Sequence, residues 1–205
     1  VDYDLKNTYD PEKTTILPRI YSTQENHKRI YRAKLGLKEG QEPTFGDNLY
    51  FMFSHQLGHM YWRYFLWNFS GRESDFSDAN WLWIADAFSD KYPEYITDNK
   101  GHNNYLMLPL ILGLVGFFFQ AKKDQKYFYV NLMLFLMMGV VLVLYLNSPP
   151  IEPRERDYIY VGSFYAFAIW IGLGVLALAH GLNKATKNLS TAGIVATLLT
   201  LPVAG

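Results

Sequence analysis

Apolar and polar positions divide this chain unevenly. From residue 105 onward it runs in apolar blocks: YLMLPLILGLVGFFFQ at 105–120, YFYVNLMLFLMMGVVLVLYL at 127–146, and YIYVGSFYAFAIWIGLGVLALAH at 158–180. A fourth begins near Leu189. The second and third blocks have about the ~20 residues that a helix needs to cross a hydrocarbon core. The run LMLFLMMGVVLVLYL is apolar on every face, unlike a helix packed on a soluble core. The pattern predicts spans near 104–120, 127–147, 158–180 and 189–205, the first reaching its length through Asn103 and Asn104.

Residues 1–104 read differently. They hold most of the 19 Lys and Arg and predict a short helix from Glu25 to Leu35. A longer helix is expected from Phe45 to Ser70, with Thr44 or Asp47 as N-cap and Gly71 after its end. Along it, Leu49, Phe53, Leu57, Met60, Tyr61, Tyr64 and Phe65 recur at helical spacing, and the other side carries Asp47, His55, His59 and Arg63. That is an amphipathic helix suited to a membrane surface. The expected organisation is an external helix-and-loop subdomain over 1–104, then a transmembrane region over 105–205. The fold class is all-α and polytopic, and both ends read as cuts through a longer chain.

Charge sets the orientation. The loops AKKDQK (121–126) and LNKATK (182–187) are short and Lys-rich, whereas NSPPIEPRERDY (147–158) balances two Arg against three acids. The positive-inside rule puts 121–126 and 181–188 in the cytoplasm, with 1–104 and 148–157 on the outer side. In a Gram-negative bacterium that side is the periplasm and the membrane is the inner one. Tyr127, Tyr129, Tyr158 and Tyr160 fit an interfacial belt. Net charge is zero and cysteine is absent. Nucleic-acid binding therefore lacks an electrostatic footing, and disulfides and thiol chemistry are excluded within these residues.

Two stretches carry candidate chemistry. SHQLGHMYWRYF places His55 and His59 four apart, a spacing that brings two side chains to one helix face. A hydrolytic zinc site would also need a third ligand and a carboxylate base, and Gln56 is not one. No metal site is therefore expected. The second stretch packs Glu152, Arg154, Glu155, Arg156 and Asp157 around Pro153 at the mouth of two spans. Guanidinium forks suit an anionic group such as phosphate. The same charges also suit a self-neutralising network that only ends two helices. Arg63 reads either as a phosphate ligand or as a side chain snorkelling to headgroups. Trp62, Trp67, Trp81 and Trp83 read as interfacial anchors or as stacking platforms for a sugar or prenyl chain.

PPIEPRERDYIYVGSFYAFAIWIGLG (149–174) and MYWRYFLWNFSGR (60–72) resemble the DUF2723 membrane proteins of Bacteroidota, and LPRIYS (17–22) and HNNYLMLPLILGLVGFFF are similar to parts of that family. The resemblance implies a polytopic GT-C glycosyltransferase akin to protein O-mannosyltransferases. Such an enzyme moves a sugar, here mannose, from a polyprenyl-phosphate carrier to Ser or Thr of a secreted acceptor protein, with no separate cofactor. The expected catalytic base lies upstream of Val1, so these 205 residues alone are expected to be inactive. On this reading Arg154, Arg156, Glu152, Glu155, Asp157 and Arg63 serve the donor phosphate and substrate. Arg156 and Glu152 lead, and preplaced Arg would stabilise charge developing on the leaving phosphate.

A rival is a non-catalytic membrane subunit that docks other envelope or secretion proteins. A transporter of lipid-linked sugar fits less well. Its mid-membrane positions should be ionisable, and the complete spans here offer Asn131 and small hydroxyls.

Overall fold

The computed structural model describes residues 16–151 and 157–200 and is mostly helical. α1 spans Glu25–Leu35, as the sequence predicts, and stops at Gly36, whose φ of 67° is the left-handed conformation that glycine adopts without a Cβ penalty. A longer helix then runs unbroken from Phe45 to Phe69 in three parts: α2 (Phe45–Phe51), a π-helical segment (Met52–Trp62) and α3 (Arg63–Phe69). Both N-cap candidates act together. The Thr44 hydroxyl accepts from the Asp47 N–H at 3.2 Å, and the Asp47 carboxylate accepts from the Thr44 N–H at 2.8 Å, a capping box.

After α3 the chain makes a polar excursion and returns. β1 (Gly71–Arg72) pairs antiparallel with β2 (Asn103–Asn104), with Gly71 opposite Asn104. Between them lie a 3-10 turn at Ile84–Phe88 and α4 (Glu94–Thr97). Ser70 is the root of this excursion. It is fully buried, its hydroxyl donates to Leu82 O at 2.5 Å, and its carbonyl accepts from Tyr105 N at 3.1 Å. Gly71 is expected to cap the helix. Instead it enters the strand, where a Cβ would press on Asn103 O at 2.9 Å.

The apolar half forms α5 (Leu108–Lys123), α6 (Gln125–Leu136), a π-helical turn (Met137–Val141), α7 (Leu142–Leu146), α8 (Asp157–Thr186) and α9 (Leu189–Thr200). Among the described residues two helices are long and apolar enough to cross a membrane: Gln125–Leu146, which joins α6 to α7, and Tyr158–Lys184 within α8. The expected first span is shorter than the sequence suggests. α5 has 16 residues and does not extend through Asn103 and Asn104, because those two pair with β1. Leu106 and Met107 turn the chain with φ of 54° and 56°, a left-handed pair that costs about 1–3 kcal/mol for each residue. Leu106 N is held by Asn104 Oδ1 at 2.8 Å.

α8 is the spine, packing against α5, α6 and α9. α5 runs parallel to it at backbone contact, because Gly116 meets the Trp170 carbonyl and Gly174 meets that of Leu112. The helix at 45–69 lies along the other end of the same bundle. Tyr61 and Tyr64 pack on Tyr160 (ring centroids 5.6 and 5.7 Å), and Phe65 and Phe69 on Phe167 (4.8 and 4.6 Å). Phe167 is ten residues into α8, about 15 Å along at 1.5 Å per residue. There Gly113 of α5 takes over, its Cα against the same Phe167 ring. The 45–69 helix and α5 thus cover α8 in succession, and the polar excursion starts where they meet.

Candidate functional site

The helix at 45–69 is amphipathic by sequence, yet its faces are not those a 3.6-residue period predicts. Phe53 belongs to the expected apolar stripe and is 61% exposed, whereas His55, Gln56 and Arg63 are buried. The π-helical segment explains the shift. With wider turns, residues five apart come onto one face, so Gln56 and Tyr61 both point into the bundle. Tyr61 reaches Ser163 of α8, oxygen to oxygen at 2.5 Å. The polar stripe expected at an open surface is therefore partly interior.

Gln56 belongs to a buried polar knot at the end of α7. Its Nε2 donates to Asn147 Oδ1 at 2.9 Å and to Ser148 O at 3.1 Å. Asn147 ends α7 in the left-handed conformation (φ 46°), and its Nδ2 donates to Pro18 O at 3.3 Å. Next to it the buried Arg19 donates Nη1 to Leu144 O at 2.5 Å. The last carbonyls of a helix lack intrahelical partners and carry partial negative charge, so Arg19 caps α7 in both senses. Asn48 fixes the Arg19 backbone, accepting from the N–H groups of Arg19 and Ile20 at 2.6 and 3.0 Å. Arg19 Nε and Gln56 Oε1 are buried without a hydrogen-bond partner among the described residues. Burial also pushes the guanidinium pKa down from its ordinary value.

Asn147 and Ser148 of this knot directly precede Pro149 and Pro150, which lead into the charged loop. Glu152, Arg154, Glu155 and Arg156 lie outside the described residues, and of Asp157 only its place at the start of α8 is described. Arg63 is described and buried. It donates Nε to His59 O at 2.9 Å and Nη1 to Ala79 O at 2.8 Å, and its guanidinium lies 4.5 Å from the Trp67 ring centroid. Arg72 takes the other cation position on that ring, also at 4.5 Å. Trp67 is thus an interior platform for two arginines. Trp62 and Trp83 are exposed, and Trp81 packs against Trp83 with ring centroids 4.6 Å apart and planes tilted by 46°.

The two histidines do not converge on a metal. Their rings are stacked, 5.4 Å apart and 12° from parallel, so their in-plane lone pairs cannot meet at one point. Lys34 Nζ lies 3.3 Å from His55 Nδ1, and His59 Nε2 lies 2.9 Å from Asp78 Oδ1. An ammonium only donates and a carboxylate only accepts. His55 therefore keeps its proton on Nε2, and His59 presents Nε2–H to Asp78. Burial first, then the positive charges of Lys34 and His59, hold the His55 pKa at about 4. Among the described residues no three His, Cys, Asp or Glu are placed to hold a metal ion.

Arg19, Asn48 and Asn147 were not marked by any periodicity. Their signal is local: an Arg directly after Pro18 in LPRIYS, and an Asn where an apolar run stops.

The class these features define is a mostly helical protein with two helices long and apolar enough to cross a membrane. The profile of a family described as "Family of unknown function (DUF8416)" matches residues 1–53, which take in α1, α2 and the start of the π-helical segment. No curated protein and no solved structure matches the chain.

Proposed function

We propose that the chain is part of a membrane glycosyltransferase that moves a sugar, mannose in the first instance, from a polyprenyl-phosphate carrier to Ser or Thr of secreted proteins. One observation carries the reading. Segments that resemble the DUF2723 proteins come together in the fold: LPRIYS holds the end of α7 through Arg19 and Pro18, two residues before the 149–174 segment begins, and Tyr61 of the 60–72 segment reaches Ser163 of 149–174. Segments distant in sequence that share a polar, water-facing end of two candidate spans suit a site for a lipid-borne phosphate. Arg154 and Arg156 supply the cations for that phosphate, and Glu152, Glu155 and Asp157 orient them. Arg63 acts at one remove, by fixing the helix against Ala79. The catalytic base is assigned to residues beyond this chain. The site residues face the periplasm, and the Lys-rich loops face the cytoplasm of a bacterial inner membrane.

The test follows labelled mannose from polyprenyl-phosphate-mannose to a periplasmic acceptor, using full-length protein in membranes. Arg156→Ala should lower transfer by about a hundredfold, the scale of losing one preplaced charge donor. Equal transfer by both proteins would reduce the charged loop to architecture. Absence of transfer by wild type, with several donors, would favour the docking subunit instead. Orientation is checked separately, because the chain has no cysteine of its own. A cysteine at Lys100 should react with an impermeant thiol reagent on intact spheroplasts, and one at Lys126 should not; the reverse pattern would invert the topology.

A further inference from the structure

A second polar site lies away from the knot, between α1 and the 45–69 helix. α1 is held there by Tyr31, whose ring meets Phe51 edge-on at 5.1 Å. The packing leaves a cleft of about 200 Å³ lined by Lys34, Leu35, Tyr50, Ser54, His55 and His59. Lys34, in the last turn of α1, is an exposed residue whose ammonium lies against the buried His55 imidazole. One of its three hydrogens is used on His55 Nδ1, and the other two have no partner among the described residues. The same contact leaves His55 with an Nε2–H and no second acceptor. The Ser54 hydroxyl donates to Tyr50 O at 2.6 Å, so towards the cleft it is an acceptor only.

We propose that this cleft binds a phosphate group, with Lys34 supplying the charge and the His55 Nε2–H a directed donor. A cation is disfavoured, because the ammonium already occupies the one imidazole nitrogen that could have ligated it. The titratable and charged groups around His55 are Lys34, His59, Arg63 and Asp78. Asp78 is hydrogen-bonded to His59, and the two cations Lys34 and Arg63 outweigh its single negative charge, so the field in the cleft is positive. An ammonium is a common phosphate ligand because it acts as a point charge without a fixed fork. The volume exceeds that of several waters at ~30 Å³ each, enough for a phosphate and part of whatever it is esterified to. Two sources share this chemistry, a soluble phosphate and a phospholipid headgroup. The inference is independent of sugar transfer.

The test is calorimetric titration of inorganic phosphate into full-length protein held in maltoside detergent, which carries no phosphate, with chloride at matched ionic strength as control. Saturable binding is expected, weakened about tenfold or more in Lys34→Ala and within about threefold of wild type in Lys34→Arg. Matching thermal melting of the three proteins shows that the fold is intact. Repetition in nanodiscs containing phosphatidic acid identifies the source: a headgroup in the cleft weakens the apparent affinity for inorganic phosphate, and an unchanged affinity assigns the cleft to soluble phosphate. No saturable heat in wild type, or equal heat in Lys34→Ala, overturns the proposal. Because the readout is heat and not transfer, a failure here leaves the glycosyltransferase reading as it stands.

Discussion

His55 shows how one side chain can report on burial. Its folded pKa of about 4 lies below the 6.5 of an unstructured histidine, so the folded state favours the neutral ring. The stability this contributes is fully present above pH 6.5 and is lost as pH falls from there towards 4. Asp78 also resists protonation, because His59 donates to it, but its loss belongs below its ordinary value of 3.8. The two windows separate. His55→Asn should flatten the fall in melting temperature between pH 6.5 and 4 and leave the fall below it. An unchanged slope would mean that His55 is open to water in solution. Arg63 shows a different limit. Its position inside MYWRYFLWNFSGR suggests a ligand contact, and its geometry is that of a clamp between His59 O and Ala79 O. Which carbonyls lie within reach of a long side chain is decided by a loop sixteen residues on, and helical periodicity carries no information about that.

At the scale of elements, the glycines of α5 and α8 fall into two kinds. A Cβ at Gly116 would run into the Trp170 backbone carbonyl, whereas at Gly172 it would meet open space. Gly116→Ala should therefore cost about 2–3 kcal/mol as overpacking. Gly172→Ala should gain about 0.5–1 kcal/mol through helix propensity. Chemical or thermal unfolding in detergent compares them, and equal effects would mean that α5 does not touch α8 as described. Such contact is legible only in space, since both positions read in sequence as one more Gly in an apolar run. Element limits were more legible. Glu25–Leu35 and the Thr44–Asp47 cap follow from local side-chain chemistry that acts within a turn. The π-helical register of Met52–Trp62 does not. It is fixed by Gln56 reaching Ser148 and Tyr61 reaching Ser163, contacts about a hundred residues away. The candidate site divides along the same line: its charged loop stands out in sequence, and the knot of Arg19, Gln56 and Asn147 beside it does not.

At the scale of the whole molecule, the 45–69 helix and α5 together line one side of α8, with the excursion at 70–107 rooted between them. The buried root has its backbone groups satisfied from within: Ser70 accepts from Tyr105 and donates to Leu82, and β1 pairs with β2. If the two candidate spans cross a membrane, this arrangement sets an order of biogenesis. The Gln125–Leu146 and Tyr158–Lys184 helices are long and apolar enough to cross. The 45–69 helix is less suited to entering lipid by itself, because a buried Arg within a spanning helix costs up to about 2.5–3.5 kcal/mol on insertion, and it also carries His55 and Gln56. In a membrane-spanning chain it would wait outside the lipid until the later helices have left the insertion machinery, and then dock. A ribosome would release this segment long before its partners exist, so the chain depends on holding an aromatic-rich helix in solution for the time it takes to translate about a hundred more residues. A chain opened between Ser89 and Asp90 should then reassemble from two co-expressed pieces, recovered together on a tag placed on either one. Failure of the pieces to copurify would mean that the helix enters the membrane in step with translation.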